Sequence, residues 1–150
     1  FVCNGILYNH ESPRRGENFV TQKIVRGAAS VAQGKAEFLE LGNLGIERDW
    51  GYAPDYVLGI WMMLQQDKSA DYILATGKTH KLSDFLELSF EYFGLDYQNY
   101  IRINPKFVRP NEPVQLCGDS SKAQNILGWK PSVSFEKIVH EMCRAAEKIK

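Results

Sequence analysis

Net charge is the first thing this sequence lacks: its 18 Lys and Arg are matched by 18 Asp and Glu. Nucleic-acid binding rests on clustered basic side chains, so that class of partner is not expected. Long apolar runs are missing too. The longest, Val57 to Leu64, is interrupted by Gly59 and falls far short of a bilayer's thickness. No basic segment followed by an apolar stretch opens the chain, so no secretory signal is expected. Cysteine is scarce: Cys3, Cys117 and Cys143 are odd in number, scattered and without CxxC spacing. That excludes a disulfide framework, predicts three small buried hydrophobes, and points to the cytoplasm. His10, His80 and His140 show no HxxxH or HExxH spacing, so no metal is expected. Low-complexity tracts and repeats are also absent, and the 44% hydrophobic content over 150 residues suffices for one core.

The residues that are present alternate between strand-like and helix-like patterns. The opening Phe1 to Tyr8 is apolar on both parities, as in a parallel strand covered on both faces. Nothing precedes that strand to pair with it, and the chain opens on Phe, so a piece of something longer is expected. Asn9 to Asn18, with Pro13 and Gly16, reads as a loop. Helices are predicted over Phe19–Gln33, Tyr56–Gln66, Leu82–Phe93 and Ser120–Leu127, with a last one from Phe135 capped by Ser134. In the second of these, Val57, Ile60, Trp61 and Leu64 are expected to face inward, and in the last Ile138, Val139, Met142 and Ile149. Gly34, Gly94 and Gly128 supply helix stops. Lys81 stands where a small capping residue is usual, weakening that helix start by about 1 kcal/mol. Short strands are expected at Glu37–Leu41, Tyr72–Thr76 and Ile101–Ile103. The class is therefore α/β, with three or four strands, too few for a whole doubly wound sheet.

No complete catalytic constellation is legible. G-x-G-x-x-G, G-x-x-x-x-G-K-[ST], G-x-S-x-G and Tyr-x-x-x-Lys are all missing. Three cationic turns remain: Arg14/Arg15/Lys23, Arg48/Asp49/Trp50 and Arg109/Pro110/Asn111/Glu112. The planar fork of arginine suits phosphate oxygens, so these turns fit either a diphosphate ligand or plain solvated loop charge. Asp49 reads as structural, holding the neighbouring arginine, and Trp50, Tyr56, Trp61 and Trp129 as core aromatics.

The run Asn9-His10-Glu11-Ser12-Pro13-Arg14-Arg15-Gly16, with Asn18-Phe19-Val20-Thr21 and Lys23, resembles the GDP-mannose 4,6-dehydratases. Leu41–Leu44, Arg48-Asp49-Trp50-Gly51, Trp61–Gln65, Phe107-Val108-Arg109-Pro110 and Leu127–Pro131 continue the resemblance in order, across essentially all 150 residues. The Arg-Asp-Trp element is shared by many nucleotide-sugar enzymes of the extended short-chain dehydrogenase/reductase class, whereas the His-to-Gly run is much narrower. The resemblance implies the C-terminal part of an NAD(P)-binding, Rossmann-like fold, including its mixed α/β substrate-binding domain, with the Gly-rich N-terminal half absent. Residues 1–150 would form one truncated unit, with strands at about 1–9 and 72–76 belonging to the nucleotide-binding sheet.

By matching position, the resemblance implies that His10 and Arg15 contact NADP, while Asn9, Val20, Lys23, Arg48, Arg109 and Glu112 contact GDP-mannose. His10 could instead be a histidine satisfied by a backbone carbonyl, and Arg15 an interface charge. The implied reaction makes GDP-4-keto-6-deoxy-mannose by internal redox and loss of water. The family's catalytic Thr, Glu and Tyr-x-x-x-Lys would lie outside this chain, so no catalytic residue is assigned in it and no turnover is expected of it alone. A homodimer or homotetramer is implied for the whole protein. Two other readings stay open: an epimerase, reductase or dehydratase of another nucleotide sugar, and a non-catalytic binding or assembly module. Between Gly94 and Arg109 the chain is shorter than many members of the family.

Overall fold

Spacing of Ile24, Val25, Ala28 and Val31 along one face makes α1 (Val20–Ala32) the wall of the main core. A computed structural model describes residues 1–149 and places fourteen regular elements among them. Before α1 come β1 (Gly5–Leu7) and β2 (Asn9–Glu11). After it come β3 (Leu39–Leu41), β4 (Glu47–Arg48), β5 (Trp50–Tyr52) and α2 (Ala53–Met63). Next are β6 (Tyr72–Leu74), β7 (His80–Lys81), α3 (Leu82–Tyr92) and β8 (Ile101–Ile103). The chain closes with β9 (Gln115–Leu116), α4 (Ser121–Leu127) and α5 (Phe135–Ala146). Gly34, Gly94 and Gly128 all take left-handed φ angles just past their helices, as expected of stops.

The strands pair in small parallel sets: β1 with β6, β2 with β5, and β3 with β8. A fourth set has β4 at its centre, antiparallel to β7 and parallel to β9. Helices α1, α3 and α5 pack together over the larger core, where Phe85, Phe90, Ile138, Val139 and Met142 are buried. Trp50 joins that core by stacking on Phe135 at 5.8 Å between ring centres. A smaller core gathers Tyr56, Met63, Tyr72, Leu74, Ala123, Leu127 and Trp129 between α2, α4 and β6.

Several expectations are corrected. Among the described residues nine short strands replace the three or four expected, and Asn9–Glu11 is a strand rather than the start of a loop. β1 is exposed along its length, not covered on both faces, because β6 is its one strand neighbour among the described residues. On α2, Val57, Ile60 and Trp61 face outward, at 66%, 41% and 58% exposure, as does Leu64 just past its end, at 59%; the buried side includes Tyr56, Gly59 and Met63. Ile149 is exposed as well. Cys117 is exposed, whereas Cys143 is buried and its thiol pKa is pushed up to about 12 by desolvation. The α3 start is not left bare: Lys81 N–H donates to the Asp84 carboxylate at 2.9 Å, half of a capping box.

Candidate functional site

Val20 and Lys23 lie three apart in the first turn of α1, so both reach the same side of the helix. Opposite them, the segment after β8 makes a single 3-10 turn, Pro105–Phe107, capped by the Asn104 side chain accepting from Lys106 N at 3.0 Å. That turn brings the Phe107 ring beneath the Lys23 ammonium, 3.9 Å from the ring centre. Asn111 then takes a left-handed φ of 60°, which asparagine tolerates, and turns the chain between Arg109 and Glu112. Val20, Lys23, Arg109 and Glu112 line one cavity of about 150 Å³, together with Asn18, Asn43 and Phe107. Four of the six residues expected at the sugar nucleotide therefore meet at one place.

Arg48 lies directly behind this cavity and is 7% exposed. Its guanidinium donates to Glu112 Oε1 at 2.8 Å, and to the carbonyls of Glu47, Pro113 and Val114 at 2.7, 3.0 and 3.5 Å. The fork expected to face a diphosphate is engaged by protein oxygens, so Arg48 shapes the cavity by holding Glu112. Asp49 does not hold Arg48. Its carboxylate accepts from Thr76, Gly77 and Gly118 instead.

Asn9, His10 and Arg15 sit elsewhere, on and after β2, and do not line this cavity. His10 stacks on Tyr56 at 5.0 Å, with Nδ1 2.8 Å from the Tyr8 carbonyl, the backbone-satisfied arrangement. Between His10 and Arg15, Glu11 is 1% exposed and accepts from Thr21 Oγ1 at 2.6 Å. Burial pushes its pKa up, against the opposing pull of the Thr21 hydrogen bond and the Arg15 charge. Arg15 Nε stands 3.4 Å from Glu11 but makes no hydrogen bond, and the guanidinium carbon lies 3.5 Å over the Phe19 ring. Tyr56 is buried with its hydroxyl unpartnered, and desolvation, then the charges of Asp49, Asp55 and Glu11, raise its pKa.

A larger depression, about 350 Å³, lies between Trp50, Thr76, Lys78, His80 and the start of α5, and no expected site residue lines it. Among the described residues no group of three His, Cys, Asp or Glu could hold a metal ion. No described helix is long and apolar enough to cross a membrane. Sequence reasoning gave no site role to Phe107, Asn18 or Asn43, which also line the cavity. Their signal was present: Phe107 stands two residues before Arg109, and Asn18 two before Val20.

Comparison with known proteins adds relatives to this geometry. The family model described as GDP-mannose 4,6 dehydratase matches residues 1–142. GDP-mannose 4,6 dehydratase 2 of Arabidopsis thaliana is 54% identical over 142 residues, covering 95% of this chain and 38% of that protein. The Homo sapiens GDP-mannose 4,6 dehydratase is 43% identical over 162 residues, covering 97% of this chain and 44% of that protein. The chain thus spans less than half the length of these relatives. In structure it is similar to RMD from Pseudomonas aeruginosa complexed with NADPH, at TM-score 0.87 and 22% identity, over 97% of this chain and 47% of that one. It is similar too to dTDP-glucose 4,6-dehydratase from Bacillus anthracis in complex with NAD, at TM-score 0.83 and 18% identity, over 98% and 45% of the two chains. These likenesses show the fold alone: mixed α/β with parallel strands.

Proposed function

Because the chain belongs to the GDP-mannose 4,6-dehydratase family, we propose that its cavity binds the GDP part of GDP-mannose in a complete lyase that makes GDP-4-keto-6-deoxy-D-mannose. The observation that carries this reading is the meeting of Val20, Lys23, Arg109 and Glu112 in one cavity. Lys23 and Arg109 bring two cations to the diphosphate, and the Glu112 carboxylate accepts from ribose hydroxyls. Val20 supplies an apolar wall. At about 150 Å³ the cavity holds part of a nucleotide sugar and leaves the hexose outside it, toward the residues that carry the chemistry. Asn9 belongs to the same reading as a sugar-side contact, reached from β2.

The residues present also fit a nicotinamide dinucleotide phosphate. Arg15 is a cation whose buried Nε lacks a hydrogen-bond acceptor, and it suits a phosphate; His10 offers its Nε2. The relatives' fold supports the same cofactor class, and NADP is the form proposed. When bound, the cofactor supplies the hydride chemistry. This chain's part is binding and orientation: it fixes the diphosphate and the ribose so that the hexose is held in one place. The free edge of β1 and the outer stripe of α2 are where the rest of the complete protein's sheet and helices pack, in a dimer or tetramer. Three unpaired thiols support a reducing compartment, the cytoplasm.

The test is GDP titration calorimetry on the complete protein and its Arg48→Ala variant. Loss of the Glu112 tether should weaken GDP by about 1–3 kcal/mol, the cost of a lost charged hydrogen bond. Wild-type affinity in the variant would overturn the assignment. Tighter binding of UDP or dTDP than of GDP would move the reading to another nucleotide-sugar enzyme.

A further inference from the structure

Asp49 is 0% exposed, yet no cation pairs with it among the described residues. It stands between β4 and β5, where alternation along extended backbone sends neighbouring side chains to opposite sides. Arg48 turns toward the cavity and grips Glu112, Pro113 and, more loosely, Val114. Asp49 turns away from it. Its Oδ1 accepts from Thr76 N at 2.8 Å and Thr76 Oγ1 at 2.6 Å. Its Oδ2 accepts from Gly77 N at 2.9 Å and Gly118 N at 3.2 Å.

One strap of chain, residues 112–118, runs between these two grips. Its middle is β9, laddered to β4 by Glu47 N donating to the Val114 carbonyl and Asp49 N to the Leu116 carbonyl. Its near end presents Glu112 to the cavity, and its far end is Gly118. Asp49 ties that far end to the segment leaving β6, whose Tyr72 and Leu74 lie in the smaller core, whereas the neighbouring Trp50 lies in the larger one. A buried carboxylate without a counter-ion is costly, and four hydrogen bonds offset that cost. What they add over an apolar residue is a fixed position for three chain segments at once.

We propose that Asp49 is a positioning residue for the nucleotide cavity. By pinning Gly118 against Thr76 and Gly77, it sets the strap from which Glu112 reaches the ligand. Asp49 does not line the cavity, so it acts on the ligand through Glu112. This rests on the reading of the cavity as the GDP subsite.

The experiment is a double-mutant cycle in the complete protein, read by GDP titration calorimetry and by thermal melting. In Asp49→Asn an amide group replaces one acceptor that faces N–H donors, so GDP binding should weaken about tenfold. Glu112→Gln should weaken it comparably. The double variant should be within about twofold of the weaker single variant, because both changes remove one interaction. The melting temperature should still fall when Asp49→Asn is added to Glu112→Gln. Losses in GDP affinity that multiply in the double variant, or an unchanged affinity in Asp49→Asn, overturn the positioning role while the cavity reading stands. Unchanged affinity in Glu112→Gln overturns the cavity reading and this proposal with it. Should Asp49→Asn fail to fold, Thr76→Val replaces it in the cycle, removing the shortest bond to Asp49, with Thr76→Ser as the bond-keeping control. The same outcomes then decide.

Discussion

Glu11 carries an ionisable carboxyl into a place that is 1% exposed, with one hydroxyl donor and one offset arginine to support it. Burial raises its pKa above the ordinary value near 4.5, so the fold favours the protonated form. The stability this group contributes is therefore present below that ordinary value and is lost as pH rises through the higher folded value. Glu11→Gln keeps an acceptor for Thr21 and cannot ionise, so it should flatten this part of the stability–pH curve. Urea unfolding midpoints from acid to neutral pH will show it, and equal slopes in the two proteins would contradict it. At this scale the charged residues that line the cavity, Lys23, Arg109 and Glu112, were legible, because each stands in one of the charged turns that the sequence marks. The work of Asp49 was not. Its partners Thr76 and Gly118 stand 27 and 69 positions away, and no local pattern records such a pairing.

Helix α2 shows what periodicity does and does not settle. Val57, Ile60, Trp61 and Leu64 do fall in one stripe, but α2 is apolar on two sides and spacing does not say which side is covered. Close approach decides. Gly59 lets the helix settle on β6, where an added Cβ would stand 2.5 Å from Leu74 Cδ1 and 3.0 Å from Trp129 Nε1. Trp129 Nε1 in turn donates to the Asp55 carbonyl at 2.7 Å, fixing the helix's first turn. Gly59→Ala should therefore destabilise by about 1–3 kcal/mol through overpacking, against less than about 0.5 kcal/mol for Leu58→Gln on the exposed side. Chemical denaturation of both variants checks this, and equal effects would contradict it. The strands that sequence reading missed, β2, β4, β5, β7 and β9, have two or three residues each, too short for alternation to be visible. Their partners make them strands.

At the scale of the whole molecule, the larger core is walled by α1, α3 and α5, whereas β1 and the outer side of α2 are uncovered. Parallel sheets are ordinarily covered on both faces, yet β1 and β6 stand as a two-stranded pair with Phe1, Val2 and Ile6 exposed. With the outer stripe of α2, these are exposed large apolar side chains of the kind that drive association. The 150-residue chain alone should therefore self-associate, and replacing Trp61 and Leu64 together by Glu should lower the mass seen by light scattering. An unchanged monomer mass in both would contradict it. The α/β class and the helix order were legible from pattern, whereas this uncovered face was not, since apolar residues look alike in sequence whether or not a partner is there. The parallel ladders have a consequence in time as well. Each joins residues about 40 to 70 positions apart, so a long loop must close before any of its hydrogen bonds form. Helices can form early, but the sheets that lock them arrive late. The apolar stripes stay bare throughout that interval, so the chain is most prone to aggregate while folding.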